Sequence, residues 1–65
     1  MNGTYAYIGE SILGKGNRYL VQRILKMKNP QTRKWEKAVL YTDRKADNFY
    51  VREIGEFKRK FKLIE

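Results

Sequence analysis

Residues 9–16 read GESILGKG, and the first seven match the phosphate-loop pattern of Gly, four residues, Gly, Lys. Such a loop cradles phosphates on backbone N–H groups. Its lysine reaches the terminal phosphates, and a Ser or Thr directly after it holds magnesium. Here that position is Gly16. The motif also needs a helix behind it, whose N-terminus faces the phosphates. The next residues are instead NRYLVQRIL, which have the period of a strand. No unbroken apolar run after the motif leads directly into an Asp, and 65 residues are too few for the required sheet. Nucleotide hydrolysis is set aside. The stretch is expected to be a glycine-rich loop carrying Lys15 at its tip, with Arg18 close by. Glycines let a backbone approach an anion closely, so this loop can touch a phosphate of a bound polymer.

Other catalytic chemistry is poorly supplied. The chain has no His and no Cys. That removes Ser-His-Asp and Cys-His nucleophiles, imidazole acid–base work, ordinary zinc sites and disulfides. Ser11 is the only serine, and GESIL is not a nucleophile elbow, which reads Gly-x-Ser-x-Gly. Asp43 and Asp47 flank one turn with Arg44 and Lys45 between them, so stabilising the turn suits them better than holding a cation. Glu53 and Glu56, three apart, suit the start of a helical turn or local pairing with Arg52 and Lys58. We expect no enzyme, no metal and no cofactor.

Charge is the dominant compositional feature. Fifteen Lys and Arg face seven Asp and Glu, for a net charge of +8. A field of this strength on a small body draws in phosphate-rich polymers, acidic protein faces or anionic lipid surfaces, or simply maintains solubility. The densest cluster is KMKNPQTRKWEK, with Lys26, Lys28, Arg33, Lys34 and Lys37 around Trp35, and Glu36 as its one acid. On a hairpin these side chains gather at one tip. Lysines and arginines there neutralise phosphates, and Trp35 offers a ring face to an unpaired base. Two plainer alternatives stand beside this: a solvated hairpin tip, and Trp35 as a buried anchor. Lys58, Arg59, Lys60 and Lys62 form a further basic run in the tail. As a strand, the tail would send Lys58, Lys60 and Lys62 to solvent together.

These residues must be positioned by short strands, because the period along the chain is mostly two. We expect strands at Thr4–Ile8, Arg18–Lys28, Trp35–Thr42 and Phe49–Arg52. In the second, strict alternation puts Tyr19, Val21, Leu25 and Met27 on one face. Leu20 and Ile24 then share the other with Gln22, Lys26 and Lys28. Asn29-Pro30-Gln31-Thr32 and residues 43–48 are turn sequences. The tail fits both a helix, through Ile54, Phe57 and Phe61, and a strand. We expect one helical or 3₁₀ turn near residues 53–58, then a closing strand over Lys60–Ile64.

The run YLVQRIL, with VLYTDRKADNFYVREIGEFKRKFKLIE after it, resembles the small SH3-like barrels, including domains of unknown function from bacteria and phages. The resemblance covers about residues 17–65. It implies a long strand, a hairpin, a strand with an aromatic-Val-Arg core, a one-turn helix and a closing strand, and it brings no catalytic residue. The expected fold is therefore small and all-β: a single domain over 1–65, a five-stranded antiparallel SH3-like partly open barrel. The expected role is binding DNA or RNA through Lys26, Lys28, Arg33, Lys34, Trp35, Lys37, Lys15 and Arg18. The alternative is a protein-interaction module, such as a phage-encoded inhibitor or adaptor, that docks on an acidic host protein. No apolar run reaches the ~18 residues of a membrane span and the N-terminus does not read as a signal peptide, so a cytoplasmic protein is expected, monomeric or paired through a sheet edge.

Overall fold

The computed structural model describes residues 3–9 and 16–64. They form β1 (Gly3–Tyr7), β2 (Arg18–Lys28), β3 (Trp35–Asp43), β4 (Phe49–Glu53), α1 (Ile54–Lys60) and β5 (Phe61–Leu63). All pairings are antiparallel, and the five strands make one sheet in the order β4-β3-β2-β1-β5. The sheet is not closed, because β4 and β5 are its two edges. Helix α1 is the direct link between those edges, and it packs against β3, β4 and β5.

The helix is longer than the sequence pattern suggested, and β5 is correspondingly shorter. Both ends of α1 explain this. Glu53 caps the N-terminus, its carboxylate accepting from the N–H groups of Gly55 at 2.7 Å and Glu56 at 3.0 Å. Those bonds hold the Glu53 carboxyl below its ordinary pKa. Lys58, Arg59 and Lys60 then fall in the last turn, where cations complement the helix dipole. The expected solvent row of Lys58, Lys60 and Lys62 is therefore divided between the helix and β5.

Residues directly opposite on paired strands share a face, so the register assigns each side chain to the concave or the convex side. Val21 faces Tyr41, yet Arg23 faces Leu40, so Gln22 is an extra residue in a β-bulge. The bulge overturns the strict alternation expected for β2. Tyr19 and Val21 share their face with Ile24, Lys26 and Lys28, whereas Leu25 and Met27 join Leu20 on the other. Gln22 is held by its amide, which donates to Oγ1 of the fully buried Thr42 at 3.1 Å.

The core lies on the concave side, beneath α1. It consists of Tyr5, Val21, Val39, Tyr41, Phe57 and Phe61, with Tyr7, Tyr19 and Ile54 packed against it. Phe57 and Phe61 stack with ring centroids 4.3 Å apart and planes at 8°. Tyr5, Tyr7 and Tyr19 meet these rings edge-on, and Tyr41 lies tilted against Phe57. The buried Tyr41 hydroxyl bonds to Nε of Arg52 at 2.8 Å, and Arg52 Nη1 pairs with Glu56 at 2.6 Å. Burial raises the Tyr41 pKa, with Arg52 opposing the shift.

The glycines of GESILGKG that lie among the described residues serve the fold. A Cβ on Gly9 would collide with the Tyr7 ring, and Gly16 has φ +84°. Tyr7 pins the far end of the loop, donating to Asn17 O at 3.0 Å and accepting from Gly16 N at 2.8 Å.

Phe57 is 0% exposed and touches the rings contributed by β1, β3 and β5. Removing a buried Phe costs about 3–5 kcal/mol, comparable to the whole stability of a core this small. Phe57→Ala is expected to abolish the cooperative thermal transition seen by circular dichroism. The surface change Trp35→Ala should shift stability by less than about 0.5 kcal/mol. A cooperative, near-native transition in Phe57→Ala would contradict this core assignment.

Candidate nucleic-acid interface

The β2–β3 hairpin extends past the rest of the sheet. Pairing of β1 with β2 stops at Gly3–Val21, and pairing of β4 with β3 stops at Ala38–Glu53. Among the described residues, Lys26–Lys28 and Trp35–Lys37 beyond these points have only each other as strand partners. A two-stranded ribbon is marginal alone, so its turn must hold it. Asn29 does so. Its Oδ1 accepts from Gln31 N at 2.8 Å and Thr32 N at 3.3 Å, and its main chain bonds to Arg33 and Lys34. Thr32 Oγ1 accepts from Lys34 N at 3.3 Å.

This register sorts charge by face. Lys26 lies opposite Lys37, and Lys28 lies opposite Trp35, so all four side chains share one face. All four are exposed, Trp35 at 64%. Met27 and Glu36 form the opposite face, where Glu36 accepts from Nδ2 of Asn29 at 3.2 Å. The one acid of the cluster therefore points away from the lysines. Arg33 and Lys34 sit exposed at the tip, and Arg33 holds φ 61°, in the left-handed region. A residue with a Cβ is disfavoured there by ~1–2 kcal/mol.

The remaining sequence candidates lie elsewhere. Arg18 is at the other end of β2 from the hairpin tip, and the molecule is 33 Å long. There it lines a cleft with Thr4, Leu20 and Arg44. Across β1, Ala6 stands between Arg18 and Lys62 on the convex face. Lys15 and Ser11 lie outside the described residues. The structure thus joins Lys26, Lys28, Trp35 and Lys37 in one face with Arg33 and Lys34 at its tip, and separates Arg18 from them.

Sequence reasoning did not associate Arg44 with Arg18. The turn at residues 43–48 makes that association. Asp43 accepts from Asn48 Nδ2 at 3.0 Å and Asp47 N at 2.9 Å, while Ala46 takes φ 56°. These bonds, that from Asn48 foremost, lower the Asp43 pKa. Glu53 and Glu56 are engaged by the helix cap and Arg52. Among the described residues no group of three acidic side chains could hold a metal ion, and no helix is long and apolar enough to cross a membrane.

Comparison with protein-family models, curated proteins and solved structures finds no match to this chain. The functional reading therefore rests on the geometry of the ribbon.

Like charges placed directly across a ladder destabilise a sheet. Lys37→Glu, which sets an acid opposite Lys26, should raise folding stability by about 0.2–1 kcal/mol at low salt. Screening should shrink the gain as salt rises. Urea unfolding at two ionic strengths measures both. A loss of stability at low salt would show that Lys26 and Lys37 do not face each other as described.

Proposed function

We propose that this protein is a small nucleic-acid-binding module without catalytic activity, contacting phosphates of DNA or RNA through the projecting β2–β3 ribbon. The observation that carries this reading is the face of Lys26, Lys28 and Lys37, which has no ion pair among the described residues, beside an exposed Trp35, with Glu36 turned to the opposite side. A ribbon selected for stability alone would not oppose two lysines or place Arg33 in a left-handed conformation. The opposed lysines suit a polyanion that neutralises their charge on binding. Arg18 and Arg44, at the far end, add to the positive field that speeds encounter.

The strand order, with a short helix between the two edge strands, supports a finer reading of the fold as a small SH3-like barrel. That scaffold would act in the cytoplasm as a monomer, or as a dimer paired through an open sheet edge.

A protein partner is the second reading, favoured by one separate observation. Phe49 is 65% and Val51 45% exposed on the convex face, close to Leu40, and binding phosphates makes no use of this apolar surface.

The nucleic-acid reading predicts affinity for oligonucleotides that falls linearly with log salt. Lys34→Glu should weaken binding to all sequences about equally and reduce the magnitude of the salt slope by about 1 or more. Fluorescence anisotropy with labelled DNA and RNA at several salt concentrations measures both. No binding to either polymer at low salt, with a stoichiometric protein partner retained after nuclease treatment, would favour the second reading.

A further inference from the structure

The ribbon face contains more than charge, and its composition bears on which form of nucleic acid fits it. Readout of duplex sequence in the major groove uses side chains that bond base edges: Arg or Lys on guanine, Asn or Gln on adenine, Asp or Glu on cytosine. The exposed strand face holds Lys26, Lys28, Lys37 and Trp35, so it offers donors for guanine but no side chain that pairs with adenine or cytosine; Gln31 and Arg33 stand at the tip, outside that face. The other usual groove reader, a helix, is no candidate: α1 spans Ile54–Lys60 and buries Phe57 in the core. In a duplex the base faces are already stacked, so an indole gains contact only by wedging a step apart, at a cost of a few kcal/mol. An unpaired strand offers base faces without that cost.

The register also sets the arrangement of the contacts. Trp35 is directly opposite Lys28, and Lys26 and Lys37 are the next pair on the same face, two residues toward the core. Strands lie about 4.8 Å apart and alternate residues about 6.7 Å apart, so the four side chains form a small rectangle. A base on the indole would have three ammonium groups beside it for the flanking phosphates. Lysine suits this task, because its flexible point charge adapts to a strand of varying conformation without fixing the base identity.

We infer that the ribbon is a binding site for single-stranded nucleic acid, in which Trp35 stacks on an unpaired base and Lys26, Lys28 and Lys37 hold the adjoining phosphates. Recognition tolerates sequence, because every base has a ring face. This inference rests on the nucleic-acid reading of the ribbon and narrows it to one strand state.

Trp35 is the only tryptophan in the chain, so its fluorescence reports on this site alone. The probes are oligothymidylate, oligouridylate and a duplex of the same length, at low salt. Both single strands are expected to quench Trp35 and to bind at least about tenfold more tightly than the duplex. Trp35→Ala should weaken single-strand binding about 5- to 150-fold, the effect of losing one stacked base. Trp35→Phe should restore part of that loss, and Trp35→Ala should leave duplex binding almost unchanged. Because Trp35 is exposed, circular dichroism should show both variants folded. Equal or tighter duplex binding with no quenching would overturn the single-strand inference and leave the broader reading standing. Binding to neither form would overturn both.

Discussion

The stacking of Phe57 on Phe61 holds the molecule together. One ring comes from helix α1 and the other from β5, the strand at one edge of the sheet. Both rings reach Tyr41, in the strand next to the opposite edge. The pair thereby joins two ends of a sheet that share no ladder. In a chain of 65 residues without a disulfide, there is little else to do this. Aromatic rings bury much area with few rotatable bonds, and edge-on contacts add about 0.5–1.5 kcal/mol per pair. The tyrosines contributed by β1, β2 and β3 extend the same cluster across the sheet.

A compact aromatic core at one end of β2 and β3 leaves their other ends without a hydrophobic task. The division of labour comes from strand length. Eleven and nine residues exceed what the neighbours β1 and β4, with five each, can cover. The excess becomes a ribbon whose Lys26, Lys28, Trp35 and Lys37 face is exposed, while Met27 and Glu36 on the other face are half-buried beside Glu53. Its stability must come from the Asn29 turn, and its charge is free to serve a partner. The Gln22 bulge connects the two parts. By adding one residue it turns Lys26 and Lys28 onto the face of Trp35 and Lys37. Without it, the alternation of β2 would set those lysines on the side of Leu20.

Much of this was legible in the sequence. β2 begins and ends where its apolar alternation does, and β1, β3 and β4 fall within one residue of expectation. Turn residues marked the hairpin, and the lysines and Trp35 marked its tip. The bulge was not legible, because an extra residue is defined by the partner strand and leaves no mark of its own in β2. For the same reason the separation of Glu36 from the lysines was hidden until the register was known. The tail was ambiguous because Phe57, Arg59, Phe61 and Leu63 satisfy a strand while Ile54, Phe57 and Phe61 satisfy a helix. The Glu53 cap and the Phe57–Phe61 stack resolve it by giving the helix the first part and the strand the last. GESILGKG was read as a glycine-rich loop and not a nucleotide site; its two described glycines, Gly9 and Gly16, answer to the Tyr7 ring and a positive φ.

The proposed role depends on place: among the described residues, the projecting ribbon is the surface proposed to meet nucleic acid. Backbone amide chemical shifts recorded during titration with an oligonucleotide test this residue by residue. The largest changes are expected on residues 26–28 and 33–37 and on the Trp35 indole N–H, with the core unmoved. Changes centred on Phe49–Val51, or a uniform small drift that disappears with modest salt, would contradict it.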